Sequence, residues 1–194
     1  DLARTKKVTI PFEITSKTLE GYLFPETYKV NPKPFSPKKL IERQLQTFKS
    51  RFLDKHQQAL EGRGLHAIVT MAAMIEREEP NELLRPVVAG ILWKRHDAGW
   101  QLGVDATSRY HLVNWNDRRT FLKYLRDPAD PYNTRIHKGL PPGPIGNPSV
   151  SSLEAAIFPK ESPYWFYLHD ANGELHGAVN GDGHDRNRRK YNVY

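Results

Sequence analysis

Between Gly64 and Pro80, apolar residues recur at steps of three and four: Leu65, Ile68, Val69, Ala72 and Ile75. That spacing predicts a helix with an apolar stripe toward the core. Its alanines and methionines favour helix, and the bracketing Gly and Pro mark its ends. A longer helix is expected over about 37–60, with Leu40, Ile41, Leu45, Phe48, Phe52, Leu53 and Leu60 inward. Ser36 supplies its cap and Pro37 its first turn. Another follows Asn81, with Pro86 in its first turn, Val87, Val88, Ile91 and Leu92 inward, and Gly99 at its end. Three shorter helices are expected. One opens at Asp105 and Thr107, one spans about 119–125, and one is capped by Ser149 or Ser151 and ended by Pro159.

Lys7 to Ile14 alternates in the manner of a strand. Residues 163–168 read as a second strand, 170–173 as a turn and 174–179 as its hairpin partner. Between Leu19 and Val30 the chain is dense in aromatics. Such rings either stack on sugars and line a saccharide groove, or form a small aromatic core that fastens the N-terminus. Residues 139–148 hold too much Pro and Gly for helix or central strand. A stiff loop of this kind either holds backbone groups beside a ligand or serves as a connector. The pattern predicts an α+β fold, mostly helical, with a small β-hairpin sheet.

The 194 residues suffice for one sizeable core, with no repeat and no low-complexity segment. There is no cysteine, so disulfide and thiolate chemistry are excluded. The net charge of +7 and pI near 9.5 favour anionic partners. The basic residues are scattered, however, and the densest group, Arg186, Arg188, Arg189 and Lys190, accompanies no nucleic-acid motif. No nucleic-acid partner is expected. His176 and His184 lack a third ligand at metal spacing, so no metal and no cofactor are expected. There is neither a phosphate-binding glycine loop nor a serine-hydrolase elbow. No stretch is long enough for a membrane span, and a start at Asp1 reads as a fragment lacking its N-terminal part.

Glu76 projects from the edge of the apolar stripe, and Glu78 points more nearly away from it. A carboxyl held against apolar side chains keeps its proton to higher pH, as a general acid must. The bland alternative is a polar helix end paired with a nearby Arg.

Four ordered blocks bear on that choice: Leu19-Glu20-Gly21-Tyr22-Leu23-Phe24-Pro25-Glu26-Thr27-Tyr28; Ala72-Ala73-Met74-Ile75-Glu76-Arg77-Glu78; Asp105-Ala106-Thr107; and Tyr132-Asn133-Thr134 continuing to Gly139-Leu140-Pro141-Pro142-Gly143-Pro144-Ile145-Gly146-Asn147-Pro148. In this order they resemble the endolytic murein transglycosylases, the MltG or YceG-like family. The likeness runs from about residue 19 to the end. It implies a catalytic domain over 19–194, with 1–18 as the tail of a LysM-like subdomain. It also implies a bacterial cell-envelope enzyme, anchored in the inner membrane by a helix absent from this chain, with its catalytic domain outside the cytoplasm. Its partners would be peptidoglycan glycan strands and cell-wall synthases. The family's catalytic glutamate falls on Glu76. Glu20, Tyr22, Asp105, Thr107, Tyr132, Asn133, Thr134, Pro142 and Asn147 fall on positions that orient substrate. Departures from the family pattern are Gly103-Val104, Lys94-Arg95, Asp130, Arg135 and Gly183-His184-Asp185.

The implied reaction cuts the β-1,4 bond between N-acetylmuramic acid and N-acetylglucosamine without water, leaving a 1,6-anhydro end. One glutamate would serve as acid and then as base. Two rivals are a lysozyme-type hydrolase with Asp105 as second carboxylate, and a non-catalytic peptidoglycan-binding module.

Overall fold

The computed structural model describes residues 7–193. Helix α1 (Pro37–Phe48) begins where the Ser36 hydroxyl accepts from the Lys39 amide, and Pro37 fills the first helical position. The coil widens to a π turn at Lys49–Leu53, recovers over Asp54–His56 and tightens to 3₁₀ at Gln57–Leu60. The expected long helix is therefore not uniform in pitch, and at His56 (φ −126°, ψ 18°) the backbone leaves helical geometry.

Helix α2 (Leu65–Glu78) is the centre of the molecule. Every residue from Ile68 to Ile75 is buried, so it is enclosed rather than amphipathic. Helix α3 (Arg85–Asp97) carries Pro86 near its start, and after Asp97 the chain turns at Gly99 with φ +68°. Helix α4 (Asp105–Arg109) and helix α5 (Arg118–Tyr124) follow, the latter capped by Asp117 on the Thr120 amide. Helix α6 (Val150–Ile157) packs against both α2 and α3. The Trp93 indole donates to Ala156 O at 2.9 Å, which ties α3 to α6.

Strands β1 (Phe166–His169) and β2 (Leu175–Ala178) form the antiparallel hairpin, Phe166 opposite Ala178 and His169 opposite Leu175. Helix α7 (Gly181–Tyr191) packs on both strands. It was not anticipated. Its first turn is rich in glycine and no apolar stripe marks it. Asn180 caps it, and two rings hold it: His184 stacked on Phe166 and Tyr191 on His176.

The stretch from Lys7 to Ile14 is not a strand, because among the described residues it finds no partner to ladder with. Val8, Ile10, Phe12 and Ile14 nevertheless turn to the core. Rings of Phe12, Tyr22, Phe48 and Phe52 contact one another in series at 5.4–6.1 Å. The aromatic segment is thus a small core that fastens the N-terminal chain. Residues 1–6 of the expected LysM-like tail lie outside the described residues. Gly21 sits at φ +89°, and a Cβ there would lie 2.5 Å from Pro144 Cγ and 2.6 Å from Val69 Cγ1. Only glycine allows this turn to pass between the Pro-Gly loop and α2. Among the described residues no helix is long and apolar enough to cross a membrane.

Candidate active site

Glu76 and Glu78 are two residues apart on α2, so they leave the helix on nearly opposite sides. Glu76 faces the start of α6. Its Oε2 accepts from the Ser149 amide at 3.0 Å and the Ser149 hydroxyl at 2.6 Å. Arg85, only 6% exposed, lies 3.4 Å from Oε1 and also donates to Ser149 Oγ at 2.9 Å. Ser149 holds the N-cap position of α6 as expected, yet its hydroxyl serves Glu76 instead of its own helix. Burial pushes the Glu76 carboxyl up. The Ser149 bonds, the neighbouring Ser152 hydroxyl and the Arg85 charge outweigh it, and the net shift is downward. The expectation of a proton-retaining Glu76 is therefore reversed: the group is a bound carboxylate.

Glu78 has the property sought in Glu76. It lines an open cleft of about 700 Å³ together with Arg77, Arg95, Trp100, Asp105, Arg135 and Tyr167. Burial raises its pKa, and the negative charge of Asp105 raises it further. Against this, the Tyr167 hydroxyl donates to Oε2 at 2.8 Å, and His169 and Arg135 favour the charged form, without cancelling the rise. Burial and the Glu78 charge in turn push the Tyr167 phenol well above its ordinary range. Arg135 Nε donates to Asp105 Oδ1 at 2.5 Å, so the motif aspartate is paired across the cleft wall. Behind the site, buried Glu79 accepts from the Asn81 amide at 2.8 Å and meets His169 at 3.0 Å. The polar end of α2 is thus three carboxylates in three environments.

The sequence-expected site residues divide into groups. Asp105 lines the cleft with Glu78. Glu20 accepts from Tyr110, whose ring lies 4.9 Å from that of Tyr132. Tyr22 is fully buried, with its hydroxyl 3.0 Å from His66 Nδ1; the other nitrogen of His66 meets the carbonyl of exposed Pro142 at 3.2 Å. Asn147 Oδ1 accepts from the Gly21 and Leu23 amides at 2.8 and 3.1 Å. Thr107, Asn133 and Thr134 are buried. Thr107 does not cap α4; its hydroxyl turns back to Val104 O at 2.7 Å and lies 3.1 Å from that of Thr134, which accepts from the Val104 amide. Asn133 donates to Tyr124 O. Tyr22, Thr107, Asn133 and Thr134 are therefore corrected from sugar-facing groups to braces, because their polar atoms are spent inside the protein.

Sequence reasoning missed Tyr167, Arg135, Arg85 and Ser149 as partners of the two glutamates. Tyr167 stands in an ordinary strand pattern, and no local signal marks it. Asp170, Glu174 and His176 bring ligand atoms within 4.8 Å of one another, a grouping also not foreseen. The Asp170 carboxylate there already accepts from His176 and from the Asn172 and Glu174 amides.

Fold and site together define a helical α+β protein with a sheltered carboxyl on the wall of an open, polar cleft. The chain belongs to the YceG-like family, whose model matches residues 2–190. It is 31% identical over 175 residues to the endolytic murein transglycosylase of Bacillus subtilis, a match covering 89% of this chain and 48% of that protein. A Streptococcus pneumoniae protein of the same name is 26% identical, with 87% and 31% covered. A YceG-like protein of Listeria monocytogenes has the same fold, with TM-score 0.79 and 30% identity over 89% of this chain and 56% of that one. The chain spans about half the length of the first of these relatives and a third of the second.

Proposed function

We propose that this chain is the catalytic part of an endolytic murein transglycosylase of the bacterial cell envelope, and that Glu78 is its single acid and base. The relatives' names support the substrate, peptidoglycan strands cut within their length. The residue assignment is carried by the place of Glu78 on the cleft wall beside Asp105 and Arg135, held by the Tyr167 hydroxyl, where burial pushes its carboxyl up.

Glu78 enters the reaction protonated, with Tyr167 steadying Oε2. It gives its proton to the glycosidic oxygen as the bond to muramic acid C1 breaks. Asp105, held by Arg135, places negative charge near the developing oxocarbenium. The Glu78 carboxylate then takes the proton of the muramyl 6-hydroxyl, whose oxygen closes on C1. The products are a free 4-hydroxyl on N-acetylglucosamine and a 1,6-anhydro ring, and the carboxyl is again protonated. No second carboxylate is needed, because the substrate supplies the nucleophile. The same reading assigns residues 1–18 to the tail of a LysM-like subdomain.

Mass spectrometry of digested peptidoglycan tests the reading. Wild type yields anhydro ends, and Glu78→Gln yields none. Loss of product in Glu76→Gln with full activity in Glu78→Gln would return the role to Glu76. The closeness of Asp105 to Glu78 favours one further reading, a hydrolase with Asp105 as second carboxylate. That enzyme would add water to every product, and the mass difference separates the two.

A further inference from the structure

A second cleft, of about 680 Å³, opens beside α3 and is lined by Arg63, Lys94, Asp97, Glu161, Ser162 and Trp165 among others. It shares a wall with the Glu78 cleft. Trp100 borders the first cleft and is 43% exposed; its ring lies 4.6 Å from that of Trp165, which borders the second. The wall is stiff. Arg95, on the first side, donates to Trp165 O at 2.8 Å, and Lys94, on the second, donates to Ser162 O at 2.7 Å. Arg63 grips both oxygens of Asp97 at 2.8 and 2.7 Å, and that pairing draws the Asp97 carboxyl down to about 2.

The Lys94 ammonium lies over the Trp165 ring, 5.0 Å from its centre, and the part of the ring left half-buried at the cleft, bordered by fixed donors and acceptors, suits a ligand with apolar C–H faces and polar edges. Two cations, Arg63 and Lys94, face two anions, Asp97 and Glu161, so the cleft has no net charge to recruit a polyanion. A neutral chain of N-acetylated sugars matches this chemistry. An enzyme that cuts inside a strand must also accommodate sugars well beyond the bond it breaks.

We propose that the cleft beside Trp165 is a distal subsite for the glycan strand, holding sugars that have passed over Trp100 on leaving the Glu78 cleft. The inference rests on the transglycosylase reading for the identity of the strand. It does not rest on which glutamate reacts.

The test uses glycan strands, short and long, whose muramyl lactyl carboxyls are capped as amides so that every sugar is neutral, with Trp165→Ala and Trp165→Tyr. Trp165→Ala raises KM for long strands about tenfold, the loss expected for one aromatic platform, and leaves turnover of short strands unchanged. Trp165→Tyr keeps a plate and restores long-strand KM. Binding of long strands to the double variant Glu76→Gln/Glu78→Gln, with and without Trp165→Ala, gives a readout free of catalysis, and thermal melts exclude a folding defect. Equal KM and equal binding with and without Trp165 overturn the subsite and leave the proposed function standing. Strand binding that depends on Trp165, together with a wild-type protein that never releases product, supports the subsite and removes the transglycosylase reading.

Discussion

Exchanging each α2 glutamate for glutamine should move stability in opposite directions. Glu76 is a carboxylate tied to Ser149 and to nearly buried Arg85. Glutamine there can still accept from Ser149, but it takes away the charge facing a cation that is 6% exposed. Glu82, at 3.6 Å, is left as a mostly exposed substitute. The loss is on the order of 1–3 kcal/mol, below the full cost of breaking a buried pair because Glu76 is 30% exposed. For a chain of this size that lowers Tm by about 2–4 °C per kcal/mol. Because its folded pKa is depressed, the Glu76 contribution is present above the unfolded pKa and fades as pH falls through the folded one. Glu78 behaves the other way. Its folded pKa is raised, so the native state binds more protons than the unfolded chain, and stability falls as pH climbs from the unfolded value through the folded one. Glutamine at 78 removes that decline and should raise Tm on the alkaline side while abolishing product. Circular-dichroism melts across pH 4–9, roughly spanning the ordinary and shifted carboxyl range, read both effects. A Glu78→Gln protein less stable than wild type at alkaline pH, or a Glu76→Gln protein unchanged at neutral pH, would refute the assignment of the two environments.

Three other substitutions probe the same wiring. Ser149→Ala removes two of the contacts on Glu76 and Arg85, and should raise the Glu76 pKa and cost about 1–2 kcal/mol, read by carboxyl NMR titration and urea unfolding. Arg135→Ala frees Asp105 and removes a cation that favours the Glu78 carboxylate, so the alkaline limb of the kcat/KM profile should move to higher pH; an unmoved limb would detach Arg135 from the acid. Gly21→Ala combines a positive φ with a 2.5 Å approach to Pro144, and should destabilise by about 2–5 kcal/mol in denaturant unfolding.

Much of the architecture was legible because its signals are local. Steps of three and four mark α2, Ser36 and Pro37 mark α1, and a turn between two short apolar runs marks the hairpin. The N-terminal alternation misled because a strand needs a partner, and among the described residues none lies alongside. Helix α7 was missed because ring stacking and an Asn180 cap hold it, not a stripe. The neighbourhood of the site was also legible, since the four motif blocks do lie around α2. Which carboxyl is pushed up and which is drawn down was not. That depends on Tyr167, 89 residues beyond Glu78, and on Ser149, 73 residues beyond Glu76. Apolar periodicity points to the side chain at the stripe's edge and is blind to donors arriving from elsewhere.

The Asn147 side chain clasps the backbone at Gly21 and Leu23, two residues before Ser149 takes hold of Glu76. A pull on the chain ahead of Leu19 would therefore be delivered to the loop that ends at Ser149. Mechanical load arriving from the N-terminal side has a short, stiff route to the central helix through the clasp at Asn147, beside the direct contacts that Tyr22 makes with His66 and Gly21 with Val69.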